Sequence, residues 1–225
     1  MQEAAPNPSL KTAWIVAGLG LAALLAWDFA GLDLAVIRPW AGSAGFPLRE
    51  HWLTRGVFHE GGRALAGLVL LFMLVLNLWR GLLPAMTRRE RLWWLATSVV
   101  CLLLIPLLKR QSLTSCPWDL NEFGGLAQYV SHWRFGVADG GPGHCFPSGH
   151  ASSAFSFFAG FFALRRAYPR AARVFLVLLM ICGACYGWAQ MVRGAHYASH
   201  TLWTMWICWT VTTVSSWLFL RRAAR

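Results

Sequence analysis

The chain has 225 residues, of which 57% are hydrophobic and only 13% are charged. This length is enough for one domain, and the excess of apolar residues excludes an ordinary water-soluble protein, whose helices need polar outer faces. The net charge of +11 could indicate a nucleic-acid partner, but the basic residues form short clusters between long apolar runs, as in membrane proteins. We therefore predict no nucleic-acid partner and a chain embedded in a lipid bilayer.

Six apolar runs of roughly 16 to 21 residues follow one another, close to the length that crosses a hydrocarbon core. We predict an all-α, polytopic membrane protein with six transmembrane helices in one bundle, forming a single domain over residues 1–225. The predicted spans are 12–29, 63–79, 92–108, 148–164, 173–191 and 201–220. The first run lacks a convincing signal-peptide cleavage site, so we interpret it as a membrane anchor.

The distribution of basic residues predicts the orientation of the spans. With the N-terminus inside, 12 of the 20 lysines and arginines lie on the cytoplasmic side and eight on the other. We expect both termini in the cytoplasm and the long loop 109–147 outside. The strong preference for arginine, with many Ala, Gly and Leu residues, favours a bacterial source. The predicted location is the inner membrane, with the functional site facing the periplasm.

The sequence Phe146-Pro147-Ser148-Gly149-His150 leads into the fourth apolar run. A helix that begins at Pro, Ser and Gly has unpaired backbone N–H groups pointing outward, and these attract an anion. A histidine beside such a site can donate a proton to a departing oxygen. Taken alone, the stretch could equally be a capped helix start.

A second cluster of ionisable residues lies at the start of the last predicted span. His196 and His200 are four residues apart and so share one helical face, and Arg193 lies about one turn before His196. Ionisable residues at the end of a span often mark a functional site, although interfacial histidines and snorkelling arginines are common. Lys109 ends the third run, where a lysine can also complement the helix dipole.

Together these clusters resemble the type-2 phosphatidic acid phosphatase family, which shares its fold with vanadium haloperoxidases. The first family motif is Lys, six residues, then Arg-Pro, and the second is Pro-Ser-Gly-His. The second motif is intact here at 147–150. In the first, Lys109 and Pro117 keep the spacing, but Cys116 stands in place of the arginine. The resemblance covers residues 109–200 and the six-span layout.

The third family motif is Ser-Arg, five residues, His, three residues, then Asp. His196 holds the histidine position, while His200 replaces the aspartate and Ala189-Gln190 replace Ser-Arg. The first and third motifs are therefore divergent.

The resemblance implies a phosphatase reaction in two steps. His196 attacks phosphorus to form a phosphohistidine, and His150 protonates the leaving group and then accepts a proton from the attacking water. Lys109, Ser148 and the backbone near Gly149 are expected to stabilise the phosphate oxygens. The scheme needs no metal and no cofactor.

The departures from the family pattern call for replacement residues. We predict that Arg193 supplies phosphate binding, with Arg110 and Arg134 as weaker candidates. His200 is expected to orient His196, although it offers no negative charge. A carboxylate orienter could instead come from Asp119, Glu122, Asp139 or Glu60. His59 and Arg63 could touch a lipid headgroup, but an interfacial helix start is the simpler interpretation.

Two further properties concern the histidines and cysteines. His196 and His200 have metal-ligand spacing and, with His144 or Cys145, could bind zinc, although the phosphatase interpretation explains more residues. Cys116 and Cys145 both lie in the outer loop, where an oxidising periplasm would let them form a disulfide. The remaining cysteines, Cys101, Cys182, Cys185 and Cys208, fall inside apolar runs.

We therefore predict a hydrolase that removes phosphate from a lipid phosphate or pyrophosphate. Undecaprenyl pyrophosphate, lipid A phosphate, phosphatidylglycerophosphate and phosphatidic acid are the expected substrates. Two alternatives stay open at this point: a phosphotransferase that passes the same phosphoryl group to a lipid acceptor, and a degenerate family member that binds or translocates a phospholipid without turnover.

Overall fold

The computed structural model describes residues 10–42, 44–79 and 81–223. Its helices are α1 (Leu10–Phe29), α2 (Leu32–Ile37), α3 (Gly62–Leu78), α4 (Arg88–Arg110), α5 (Ser152–Phe155), α6 (Ala159–Leu164), α7 (Pro169–Val192) and α8 (Ala198–Ala223), and a π-helical stretch, Leu53–Gly61, leads into α3. Within the described ranges every regular element is helical, so the predicted all-α class is confirmed there. Arg80 and Arg225, which the orientation prediction counts as cytoplasmic, lie outside these ranges.

In the part of the chain that the structure describes, four helices are long and apolar enough to cross a membrane. They are α1, the combined stretch Leu53–Leu78, α4 and α7. Each contains one of the predicted spans. The second predicted span begins too late, because the π-helical turns before residue 63 continue the same helix.

The fourth predicted span, 148–164, differs from the structure. Its helix starts only at Ser152, and a turn over 156–158 divides it into α5 and α6. The Ser152 hydroxyl donates a 2.6 Å hydrogen bond to the carbonyl of Gly149, which closes the turn that comes before α5. The remaining apolar stretch, Ser152–Leu164, is shorter than a membrane crossing requires.

The sixth predicted span lies in α8, which has 26 residues but is not among the four most apolar helices. Threonine, serine and tryptophan occupy its middle and lower its hydropathy. Several of these polar side chains are buried, namely Thr204, Thr212, Thr213 and Ser216. Thr213 donates to the carbonyl of Trp209 at 2.9 Å, so part of this polar stripe is satisfied within the helix. A sixth crossing therefore stays a prediction.

Helix α8 lies at the centre of the bundle, where it contacts α1, α4, α5 and α7. The indole N–H groups of Trp206 and Trp209 donate to the backbone carbonyls of Ala17 and Ala13 on α1, at 2.8 and 3.0 Å. Small buried residues at this contact let the two helices approach closely. The first turn of α8, which carries His200, is thereby held against α1.

The main apolar core fixes α5 between α7 and α8. Phe155 of α5 stacks on Phe158 with ring centroids 5.4 Å apart, and both rings are fully buried. Gly183 of α7 leaves the space that the Phe155 ring occupies, because a Cβ atom there would collide with it. This packing sets the position of the motif that comes immediately before α5.

The segment 111–151 contains two short 3₁₀ turns, Pro117–Asp119 and Asn121–Phe123, and otherwise irregular structure. Leu120, Phe123 and Ala127 of this segment form a small apolar core with Ile37, Phe46 and Tyr197 from other parts of the chain. The N–H of Trp118 donates to the carbonyl of Gly194 at 2.9 Å, directly after α7. The loop is thus attached to the end of the bundle that carries His196. Its predicted extracytoplasmic location is not tested by these contacts.

Candidate active site

The Pro147-Ser148-Gly149-His150 motif forms a turn rather than the helix start that we expected. The N–H of Ser148 donates to the carbonyl of His200 at 3.1 Å, and its own carbonyl accepts from the Thr204 hydroxyl at 2.9 Å. Both bonds attach the motif to the first turn of α8. The Ser148 hydroxyl is buried without a partner in the described structure. It is therefore free to bind an anion, although no helix N-terminus supports it.

His196 lies in the turn between α7 and α8, two residues before α8 begins. The N–H groups of Ala195 and His196 donate to the carbonyl of Gln190 at 2.9 and 3.2 Å, which fixes this turn on the end of α7. Nδ1 of His196 lies 3.5 Å from Nδ1 of His200. One of these nitrogens can donate and the other accept, so Nε2 of His196 is not needed for this contact. The orienting role of His200 stays a prediction, which this contact allows.

The four carboxylates that we considered as orienters have other partners. Asp119, Glu122, Asp139 and Glu60 pair respectively with the Cys116 N–H, Arg38, Ser115 and Arg55. The backbone of Cys145 is instead a hydrogen-bonding neighbour of both the His196 and the His200 imidazoles. The His196 imidazole therefore has a peptide group and a second imidazole as its polar neighbours.

The sulfur atoms of Cys116 and Cys145 lie 2.08 Å apart, at disulfide distance, as predicted. Cys116 belongs to the segment after α4, and Cys145 precedes the Pro-Ser-Gly-His turn. Sγ of Cys145 also lies 3.5 Å from Nδ1 of His196. The bridge therefore joins the two segments that carry the first and second motifs, directly beside the nucleophile.

Cys145, His196 and His200 place potential metal-binding atoms within 4.8 Å of one another. Zinc binds a thiolate, however, and the sulfur of Cys145 is already bonded to Cys116. His144, the other ligand that we considered, has an exposed side chain. The donor set of this cluster therefore fits a metal ion poorly.

His150 is half-buried in a strongly positive environment, with its Nε2 atom shielded from solvent. Burial first, and then His59, Lys109, Arg63 and Arg193, lower the pKa of His150 to about 3. Lys109 is close to the turn, since a Cβ atom on Gly149 would lie 3.9 Å from its Nζ. His150 is consequently neutral at physiological pH until an anion offsets the neighbouring charges.

His196 is also held neutral. Burial, followed by the charges of Lys109, His200 and His150, lowers the pKa of His196 well below its ordinary value. A neutral imidazole is the nucleophilic form, so the same burial that isolates His196 from solvent keeps its ring nitrogen reactive.

Arg193, the predicted phosphate-binding arginine, is buried directly after α7. Its Nε donates to the carbonyl of Arg49 at 2.7 Å, while its Nη1 is buried without a partner in the described structure. Its charge acts on His59 and His150. The two weaker candidates differ, because Arg110 at the end of α4 and Arg134 in the outer loop both have exposed side chains.

Two residues join the site that the motifs do not specify. The ring of His59 stacks on that of His150 with centroids 3.8 Å apart and planes 30° apart. The Gln190 side chain is a polar neighbour of His59, and its amide nitrogen is buried without a partner in the described structure. The sequence signal for His59 was only its position before an apolar run. Gln190 was recognisable because it stands where the family has arginine.

A comparison with family models matches more than half of the chain. The family model described as the PAP2 superfamily matches residues 90–224, which include all three motifs. The chain belongs to the PAP2 superfamily. The suspected resemblance is thus confirmed, and PAP2 membership supports phosphatase-type activity on phosphate esters. No curated protein and no solved structure gives a significant match.

Proposed function

We propose that this PAP2 protein is an inner-membrane lipid phosphatase that works through a phosphohistidine on His196. One observation carries the proposal: two neutral imidazoles, His196 and His150, lie among buried polar atoms that have no partner in the described structure. Such donors stabilise a phosphoryl group as its charge develops, because they are fixed before the reaction and shielded from water. Ser148 and Arg193 each contribute one of them.

In the first step, Nε2 of His196 forms a bond to phosphorus and the bond from phosphorus to the leaving oxygen breaks. Lys109, Arg193 and the Ser148 hydroxyl bind the other phosphate oxygens. The negative charge of the substrate offsets the positive groups around His150 and raises its affinity for a proton. His150 then gives that proton to the leaving oxygen.

In the second step, water attacks the phosphohistidine and His150 accepts a proton from it. The bond between phosphorus and Nε2 breaks, inorganic phosphate leaves, and His196 returns to its starting form. His200 and the backbone of Cys145 hold the imidazole in place throughout. Each step uses residues of this chain alone.

A lipid substrate is supported by an apolar cavity of about 460 Å³ between α1, α7 and α8. Its wall includes Trp27 near the end of α1. It also includes Leu202 of the first turn of α8, two residues after His200. An acyl or isoprenoid chain fits this lining by its chemistry. Undecaprenyl pyrophosphate, lipid A phosphate, phosphatidylglycerophosphate and phosphatidic acid are the proposed substrates.

The test is phosphate release from these four lipids by the purified protein in vesicles, with His196→Ala as the control. We expect release with at least one lipid, no release with His196→Ala, and no effect of a chelator. Labelled phosphate should also be trapped on the wild-type chain by rapid quenching. Equal rates for the wild type and His196→Ala would refute the proposal. Transfer of label to a second lipid would identify a phosphotransferase instead.

A further inference from the structure

A buried carboxylate lies near the catalytic histidines without belonging to any of the motifs. Oδ2 of Asp28, at the end of α1, accepts from the indole N–H groups of Trp133 and Trp203, both at 2.9 Å. It also lies 3.2 Å from Nε2 of His132. The Asp28 side chain is only 2% exposed. Hydrogen bonds from fixed N–H donors stabilise the charged form of a carboxylate, so Asp28 is a prepared negative charge.

His132 lies between this carboxylate and the catalytic pair. Its ring stacks on Phe146 with centroids 4.2 Å apart and planes 6° apart. It meets the His200 ring edge-on, with centroids 6.1 Å apart. Phe146 also packs edge-on against His200, at 5.2 Å. The charge of Asp28 acts on His200 as well. Asp28, His132 and His200 therefore form a continuous line of contacts that ends at His196.

The reaction creates positive charge at the end of this line. When Nε2 of His196 bonds to phosphorus, its imidazole becomes cationic and its Nδ1 proton lies between His196 and His200. That proton can pass to Nδ1 of His200, which leaves a neutral phosphohistidine and a cationic His200. His132 and Lys109 oppose this charge, and Asp28 favours it. In a buried site a neighbouring carboxylate therefore has a strong effect on the barrier.

We propose that Asp28, acting through His132, is the positioning carboxylate that replaces the aspartate missing from the third motif. Asp28 touches neither the substrate nor the phosphoryl group. It stabilises the cation that phosphoryl transfer forms on the His196–His200 pair. This inference rests on the proposed phosphatase function.

The experiment measures kcat and KM for phosphate release by Asp28→Asn, which keeps the shape and the hydrogen-bond acceptor but removes the charge. We expect kcat to fall about tenfold with little change in KM, because the charge acts on the transition state and not on substrate binding. Glu122→Gln is the matched control, since it removes an outer-loop carboxylate that pairs with Arg38. Its kcat should equal that of the wild type.

Two double-mutant cycles separate this role from simple structural support. His200→Asp restores the family carboxylate, so adding Asp28→Asn should then lower kcat less than twofold. His132→Phe keeps a ring against Phe146 but breaks the link to Asp28, so adding Asp28→Asn should again lower kcat less than twofold, through the direct effect of its charge on His200. If His200→Asp is inactive, the cycle with His132→Phe alone provides the test. Thermal unfolding of each variant checks that it is folded.

The outcomes distinguish this inference from the proposed function. The role of Asp28 would be overturned if Asp28→Asn had the kcat of the wild type. It would also be overturned if Asp28→Asn lowered kcat by the same factor in the His200→Asp or His132→Phe background as in the wild type. Either result would leave the proposed phosphatase function intact. A folded wild type without phosphate release would remove both proposals. A tenfold loss that disappears in either background would support the role of Asp28.

Discussion

At the scale of single residues, the site combines positive groups with imidazoles that burial keeps uncharged. His150 and His196 both have lowered pKa values, for which burial is the first cause and neighbouring positive groups the second. The negative charge of a bound phosphate offsets these positive groups and so raises both pKa values. In the proposed mechanism, the proton for the leaving group is therefore recruited when substrate binds.

This arrangement predicts how stability depends on pH. The pKa of His150 is about 3 in the folded protein, against an ordinary value of 6.5. Between these values the unfolded chain binds a proton that the folded chain does not, so stability falls as pH drops from 6.5 towards 3 and is unaffected above 6.5. Thermal unfolding in detergent should show this decline, and His150→Asn should make it less steep, while His196, whose pKa is also lowered, retains part of it. Curves of equal slope for both proteins would contradict the buried, neutral His150.

Arg193→Ala should lower kcat/KM about a hundredfold, the usual loss when a fixed donor to a transition-state oxygen is removed. Arg49→Ala is the matched control. It removes an arginine that lies 4.3 Å over the Trp118 ring but keeps the carbonyl to which Arg193 donates. Steady-state kinetics on a lipid phosphate should show a small effect for Arg49→Ala. Similar losses in both variants would assign Arg193 a structural role instead.

The sequence predicted some of these residues better than others. His150, His196 and Lys109 follow from motif spacing, and the structure brings them together. The stacking of His59 on His150 and the bond between His132 and Asp28 could not be predicted, because each joins separate elements, the second across 104 residues. Arg193 was accessible to sequence reasoning because it lies near the nucleophile along the chain.

At the scale of elements, the disulfide connects the two phosphate-binding segments. Cys116 and Cys145 are separated by 29 residues, and the loss of a bridge of this length costs about 3.5 kcal/mol in the chain-entropy description. Cys116→Ser should lower the free energy of unfolding by about this amount and reduce kcat/KM. Cys182→Ala is the control, because that cysteine is unpaired. Chemical unfolding with and without reductant provides the measurement, and equal stability of both variants would argue against the bridge.

The contact between α5 and α7 predicts a second element-scale effect. Gly183→Ala would place a methyl group in the Phe155 ring, which should cost about 2 kcal/mol and displace the turn that carries His150. Gly18→Ala on α1 has no neighbouring atom within 4 Å, so it should be neutral or slightly stabilising. Unfolding of the two variants in detergent compares the same chemical change in a packed and an open position. A neutral Gly183→Ala would show that α5 can shift freely.

Two helices show why spans were less predictable than motifs. The run 148–164 is mostly apolar, but hydropathy does not reveal the turn over 156–158 that divides α5 from α6. In α8, buried threonines lower the hydropathy of a helix that lies at the centre of the bundle. Composition describes a segment's average surroundings, whereas tertiary contacts decide where a polar side chain is satisfied.

At the scale of the whole molecule, the four apolar helices and the attached loop support a membrane protein, and its orientation can be tested. In a variant without the four free cysteines, Leu126→Cys places a thiol on the outer loop, where Leu126 is 89% exposed. Leu82→Cys places one between α3 and α4. An impermeant maleimide should label Leu126→Cys in intact spheroplasts and Leu82→Cys only after lysis. The reverse pattern would place the site in the cytoplasm.

The link between Cys116 and Cys145 also has a consequence for the order of biogenesis. Reducing compartments keep such thiols reduced. A newly made chain would therefore lack the bridge between the segments of Cys116 and Cys145 until the loop reaches an oxidising environment. We expect export to act as the activation step, with oxidation completing the enzyme after synthesis. A chain retained inside would then be a harmless precursor, and phosphate esters of the cytosol would be protected from it without any inhibitor.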